Sequence, residues 1–217
     1  MHYLKVRGLQ WLGMLSVLLV CSVAQAATIL KPVDEGAQQT SFINFRNQLI
    51  KTIERKDVKG LLAIVNKDIK VSFGVENGIA GFKELWKLDK PATSQVWKEL
   101  STVLKMGGSF SNKNTFVAPY VFSNWPGDVD AFDYAAVIAK NVNIRAKPAL
   151  NAAVLKTVSY EILPIKFSDN LHWVTVGLAN GKQGYIASQY IRSSVDYRAF
   201  FEKINGRWQM TVFIAGD

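Results

Sequence analysis

Four aromatic side chains in the second half of the chain, Tyr160, Trp173, Tyr185 and Tyr190, are the residues best suited to hold a ligand. A flat π face with a polar edge stacks on sugar rings or peptide groups, and the same side chains also fill small cores. Trp173 is expected in the core, and Tyr160 and Tyr185 at the surface. The other combinations are weaker. His172 precedes Trp173, so on a pleated strand it points to the opposite face. A Ser-His-Asp relay built from His172, Asp169 and one of the many serines has no nucleophile elbow around any of them. Trp125, Asp128, Asp130 and Asp133 surround a Pro126-Gly127 turn. Paired carboxylates can move protons or hold a cation, but the dense, regular oxygen spacing of a calcium loop is missing, and a solvated loop is expected. No catalytic residue, cofactor or metal site is expected.

The start of the chain alters this inventory. Lys5 and Arg7 precede an apolar run over residues 9–20 that is too short to span a bilayer, and Ala24-Gln25-Ala26 has the small-x-small form of a cleavage site. Residues 1–26 therefore read as a secretory signal removed after Ala26, which implies a periplasmic protein without a membrane anchor. Acylation at Cys21 is disfavoured by the bulk of Val20. Cleavage removes Cys21 and His2, so the mature chain has no cysteine and His172 is its one histidine. A Cys-His peptidase and a zinc site with two or three histidine ligands are then excluded. The chain carries 26 Lys+Arg against 17 Asp+Glu, and losing Lys5 and Arg7 takes its charge from +9 to +7. Such a chain adheres to anionic polymers. It has no basic run of the nucleic-acid type, so nucleic acid is not an expected partner.

Positioning these residues requires two kinds of structure. Residues 27–39, with Pro32 and Gly36, read as a flexible leader. Thr40 or Ser41 then caps a helix whose Phe42, Phe45, Leu49, Ile50 and Ile53 fall on one face, and Asp57 starts a second. A strand is predicted over 69–74, helices over 78–88 and 94–104, and a strand over 115–122. Residues 40–134 thus form an α+β domain. From 135 to 193 the apolar segments are short and often interrupted, the pattern of a small all-β barrel. Residues 194–217 are two alternating strands joined at Asn205-Gly206, the favoured hairpin turn. Trp208, Met210, Val212 and Ile214 are expected on one face. An isolated hairpin is marginal in water, so it must pack on something.

The run Asn141-Val142-Asn143-Ile144-Arg145-Ala146-Lys147-Pro148, followed by Trp173, Gly184-Tyr185-Ile186 and Ser188-Gln189-Tyr190-Ile191, resembles the bacterial SH3-like domain (SH3b). The resemblance implies a small barrel that binds peptidoglycan or another envelope partner. Asn143, Arg145, Pro148 and Gly184 match its signature and imply structural roles, with Arg145 satisfying turn carbonyls or a carboxylate. Tyr185 stands where Trp is usual, and the glycine that the pattern places near Ser159-Tyr160-Glu161 is absent. Phe132-Asp133-Tyr134 also resembles the opening of eukaryotic SH3 domains, but the paired tryptophans of a proline-helix groove are missing. The barrel is complete by Arg192, so the terminal hairpin is surplus to it. The stretch from Phe200 to Phe213, with Gly206-Arg207-Trp208, is similar to the closing hairpin of NTF2-like domains, which implies that the hairpin completes the sheet of 40–134 around an inserted barrel. Together these readings describe a monomeric, non-enzymatic binding protein of the envelope. A small-molecule carrier or weak enzyme with an NTF2-like pocket, and an assembly protein that contacts another protein, are the alternatives.

Overall fold

The protein is α+β. The computed structural model describes residues 27–166 and 170–216, so the expected signal, its cleavage site at Ala26, and Asp169 lie outside the described residues. The elements in order are α1 (Thr40–Glu54), α2 (Val58–Leu62), β1 (Val65–Lys70), α3 (Gly78–Leu85), α4 (Val96–Lys105), β2 (Ser109–Asn112), β3 (Thr115–Ala118) and α5 (Tyr120–Ser123). They continue as β4 (Tyr134–Val137), β5 (Val142–Arg145), β6 (Val154–Val158), β7 (Ile162–Lys166), β8 (Trp173–Gly177), β9 (Gln183–Ala187), β10 (Ile191–Arg192), β11 (Arg198–Ile204) and β12 (Arg207–Ile214). Among the described residues no helix is long and apolar enough to cross a membrane.

The first helix forms as its spacing predicts, burying Phe42, Leu49 and Ile53. Its cap differs. Gln39 takes the N-cap position without a side-chain capping bond, and Ser41 Oγ instead accepts hydrogen bonds from Trp208 Nε1 (3.2 Å) and Lys203 Nζ (3.3 Å). Asp57 caps α2 by accepting from the Gly60 N–H at 2.9 Å. The strand predicted at 69–74 begins earlier, since Val65 and Lys70 pair in parallel with Met210 and Val212. The residues after it turn instead, held by Asn77 Oδ1, which accepts from the N–H groups of Val71 (2.9 Å) and Ser72 (3.2 Å).

A five-stranded sheet runs in the order β1-β12-β11-β3-β2. The terminal hairpin therefore supplies its two inner strands, with β11 antiparallel to β3 from Ala199↔Ala118 to Glu202↔Thr115. Asn205 (φ 49°) and Gly206 (φ 80°) both adopt the left-handed backbone that this two-residue turn needs. Phe200 opposes Val212 while Phe201 opposes Met210, which leaves Thr211 as an unpaired bulge. The extra residue inverts the alternation. Trp208, Met210 and Phe213 face the helices, and Val212 turns to the opposite side, correcting the expectation of one continuous apolar face. On the helix side Phe42 packs its ring centroid 4.2 Å from Phe116, 5.0 Å from Trp208 and 6.0 Å from Phe201.

The chain leaves this sheet at the end of β3 and returns at the start of β11. Between them lies a seven-stranded antiparallel sheet of order β10-β4-β7-β8-β9-β5-β6. Its entry and exit strands are neighbours, Ile191 pairing with Val137. The two sheets meet at a separate apolar seam of Leu30, Tyr120, Val121, Ala136 and Ile162. Residues 27–39, where a flexible leader is expected, cross that seam as a strap. The Leu30 N–H donates to Tyr160 O and the Ile162 N–H to Thr28 O, both at 2.8 Å. Farther along, the Gly108 N–H donates to Val33 O (2.9 Å) and Asp34 grips Arg46 at 2.6 and 3.0 Å.

Arg46 is 8% exposed. Burial raises the Asp34 carboxyl pKa, but the Arg46 hydrogen bonds, the Gly36 N–H and the Arg46 charge outweigh it and hold the carboxyl below its ordinary value. A carboxyl with a depressed folded-state pKa adds stability above the unfolded value, and that stability is lost as pH falls through the lowered one. Asp34→Asn should therefore cost about 1 kcal/mol near neutrality, limited because the Asp34 side chain is half exposed. The gap between wild type and variant should narrow as pH falls through the lowered value, which urea denaturation at a series of pH values from neutral downward checks.

Candidate binding groove

Three strands of the second sheet carry the groove. In β8 and β9, Trp173 pairs with Ala187 and Thr175 with Tyr185, and Tyr185 also pairs with Arg145 of β5. Because side chains alternate, Asn143, Arg145, Trp173, Tyr185 and Ala187 share one face. The other face carries Val142, Ile144, Val174, Val176 and Ile186, which belong to the apolar cluster. Trp173 is therefore not a core residue, contrary to expectation. It stands half-buried on the outer face, and the small aliphatic residues fill the interior without it.

Asn143, Arg145, Trp173 and Tyr190 line one cavity of about 260 Å³, together with Lys140, Asn141 and Leu150. Tyr190 is 40% exposed and Leu150 77% exposed. Each wall has a local cause. Asn141 turns the chain before β5 with φ 55°, its N–H donating to Ser159 Oγ at 2.8 Å. Arg145 Nη1 donates to Ala152 O at 2.8 Å, which ties the loop carrying Pro148 and Leu150 back to the strand. Asn143 Oδ1 accepts from Thr157 Oγ1 at 2.8 Å, which fixes the amide at the cavity wall. Tyr190 ends the short turn Ser188–Tyr190, which is anchored by Ser188 Oγ donating to Leu171 O at 2.9 Å.

The remaining residues divide. Pro148 is exposed within the loop. Tyr185 lies on the same outer face as Trp173 but is not a wall of this cavity. Tyr160 is elsewhere, at the seam. It adopts φ 58°, supplying at some strain the left-handed backbone for which a glycine would be the ordinary choice. Its carbonyl accepts from Leu30, and its N–H donates to Ala139 O at 3.3 Å. Burial pushes the neighbouring Tyr120 hydroxyl up to about 12, and Tyr160 adds to the shift. His172 is exposed, and its carbonyl accepts from the Ser188 N–H at 2.9 Å. Asp130 accepts from the N–H groups of Phe132 and Asp133, so the acidic loop is organised around its own backbone. Among the described residues no three His, Cys, Asp or Glu side chains gather as a metal site would require. The residues that sequence reasoning missed are Lys140 and Leu150. Their only signal is position, flanking the strand that carries Asn143 and Arg145.

Cation, amides and aromatic walls suit an acidic, partly apolar chain such as a short peptide carrying carboxylates. The groove depends on Gly184, where a Cβ would fall 2.4 Å from Ile144 Cγ2 and 3.3 Å from Arg145 O. Gly184→Ala must push β9 off β5, and a cost of about 1–3 kcal/mol is expected, measured by chemical denaturation. Comparison with protein-family models, with curated proteins and with solved structures gave no match for this chain.

Proposed function

We propose that the protein is a non-enzymatic periplasmic binding protein whose groove takes the peptide part of peptidoglycan, or an envelope partner of like chemistry. The observation that carries this reading is the cavity that gathers Trp173, Tyr190 and Leu150 with Lys140 and the amide of Asn143. Lys140 has no carboxylate within ion-pair distance among the described residues, so its charge is open to a carboxylate of the ligand.

In this reading residues 135–193 are an SH3b-like barrel. Support comes from burial. One apolar cluster draws on all seven strands of the second sheet, and no helix contributes to it. The strand order leaves β10 and β6 as edges, so the support is for a strongly curved, barrel-like sheet that folds its apolar face inward. Residues 40–134 and 194–217 are then an NTF2-like α+β unit with the barrel inserted between β3 and β11. The interlocked rings of Phe42, Phe116, Phe201 and Trp208 speak against a roomy ligand pocket between its helices and sheet.

Co-sedimentation with purified sacculi tests the proposal. The mature protein should pellet at low salt, and Tyr190→Ala should weaken binding by about five- to tenfold. That variant keeps the net charge, so its loss separates groove binding from general adhesion of a basic protein. Absence of pelleting at low salt, or equal pelleting of the variant, overturns the proposal. Capture of a single envelope protein without sacculus binding would select the assembly reading instead.

A further inference from the structure

The face of the five-stranded sheet turned from the helices carries a hollow that shares no lining residue with the groove. A sheet face turned from its helices is ordinarily polar, but this one presents Phe200, Val212 and Ile214, with Phe122 of α5 beside them. Phe122 and Phe200 meet edge to face with centroids 5.7 Å apart. The Thr211 bulge is the cause. Without the extra residue Val212 would face the helices, and with it the last strand turns Val212 outward. Phe73, in the turn after β1, stands 60% exposed at the rim of the same hollow. The hollow encloses about 270 Å³.

Among the described residues the charged side chains lining this hollow are all basic. Its charged lining residues are Lys70 and Arg198, and no acidic side chain lines it among the described residues. Arg198 is 6% exposed and built into the floor. Its guanidinium lies 4.7 Å from the Phe122 centroid and 5.9 Å from that of Phe73. Its Nη1 donates to Gly216 O at 2.8 Å. Lys70 is exposed at the end of β1 and has no carboxylate within ion-pair distance among the described residues. The polar groups of the rim are already engaged: Asn77 accepts from two backbone N–H groups and donates to Gly74 O, and Ser72 Oγ donates to Glu76 O. Lys70 is the group left to meet a ligand. By contrast, the larger groove between α2 and α3 mixes Lys83 with Glu84 and Asp89 and favours no one charge.

We infer that this hollow is a second binding site, which takes a small apolar carboxylate, an aliphatic or aromatic acid, with its hydrocarbon part against Phe122, Phe200 and Val212 and its carboxylate on Lys70. An apolar hollow with one exposed cation at its rim selects charge as well as shape. An apolar chain ending in an alcohol fills the same walls but leaves the ammonium unpaired. The site is independent of the groove on the second sheet, so its ligand does not depend on peptide binding there.

Titration calorimetry of the full mature protein with sodium octanoate, and with 1-octanol as its neutral counterpart, tests the inference. Octanoate should bind at one site with a dissociation constant of millimolar or below, and octanol about tenfold more weakly. Lys70→Met should remove the preference for the acid. Phe73→Ala, at an exposed position that leaves the core untouched, should weaken both ligands, and Val212→Trp should fill the hollow and abolish both. Circular dichroism checks that each variant is folded. Absence of octanoate binding at millimolar concentration, equal affinity for octanol, or binding unchanged in Lys70→Met or in Val212→Trp overturns the inference. Loss of sacculus binding by Tyr190→Ala has no bearing on it, which keeps the two sites separable.

Discussion

Hydrogen bonds from β11 to β3 and from β12 to β1 hold together a sheet whose inner strands come from the last part of the chain. Without them β1 and the β2–β3 pair would be unconnected edges beneath a layer of helices, and their N–H and C=O groups would lack partners. The same bonds set where the second sheet can sit. Ala118 and Ala199 are neighbours, so everything between them must leave and return through one narrow gap. The pairing of β4 with β10 meets that condition from the other side. Leu30, Tyr120, Val121, Ala136 and Ile162 then close the space between the sheets with apolar contact.

The groove follows from this arrangement at one remove. Its floor is a regular antiparallel ladder, and its walls are two turns that could adopt other shapes. What fixes them are a few polar contacts, Arg145 on Ala152 and Ser188 on Leu171, while Gly184 lets β9 approach Ile144 closely enough for the faces to register. Rigidity comes from the strands, while the shape of the cavity comes from the turns, the usual division of labour on a small β scaffold.

Much of this was legible in the chain, because the signals involved were local. The apolar spacing of α1 and α4, the Asn205-Gly206 turn and the short interrupted strands after residue 135 depend on neighbours in sequence. The helix cap was misread because Ser41 answers to Trp208 and Lys203, which are remote in sequence. The bulge at Thr211 leaves no mark in a period-two pattern, since one inserted residue shifts the alternation without changing residue type. Trp173 is of a type that fills small cores, yet this interior is closed by Val, Ile and Leu from seven strands, and the tryptophan stays on the outer face. The leader carried Pro and Gly, and composition alone did not reveal that Leu30 and Asp34 would each find a buried partner.

The left-handed turn at Tyr160 also links the strap to the second sheet energetically. A non-glycine residue there carries roughly 1–2 kcal/mol of conformational strain, and the carbonyl it presents is the acceptor for the Leu30 N–H. The turn after β6 and the attachment of the strap are thus reciprocal. Whatever loosens residues 28–30 lets that turn relax, and whatever stiffens the turn holds the strap in place. Ser159, next to this strained residue, accepts from the Asn141 N–H at the edge of the groove. The first residues of the described chain therefore sit within two contacts of the cavity between Asn141 and Tyr190, and the strap braces one of its walls.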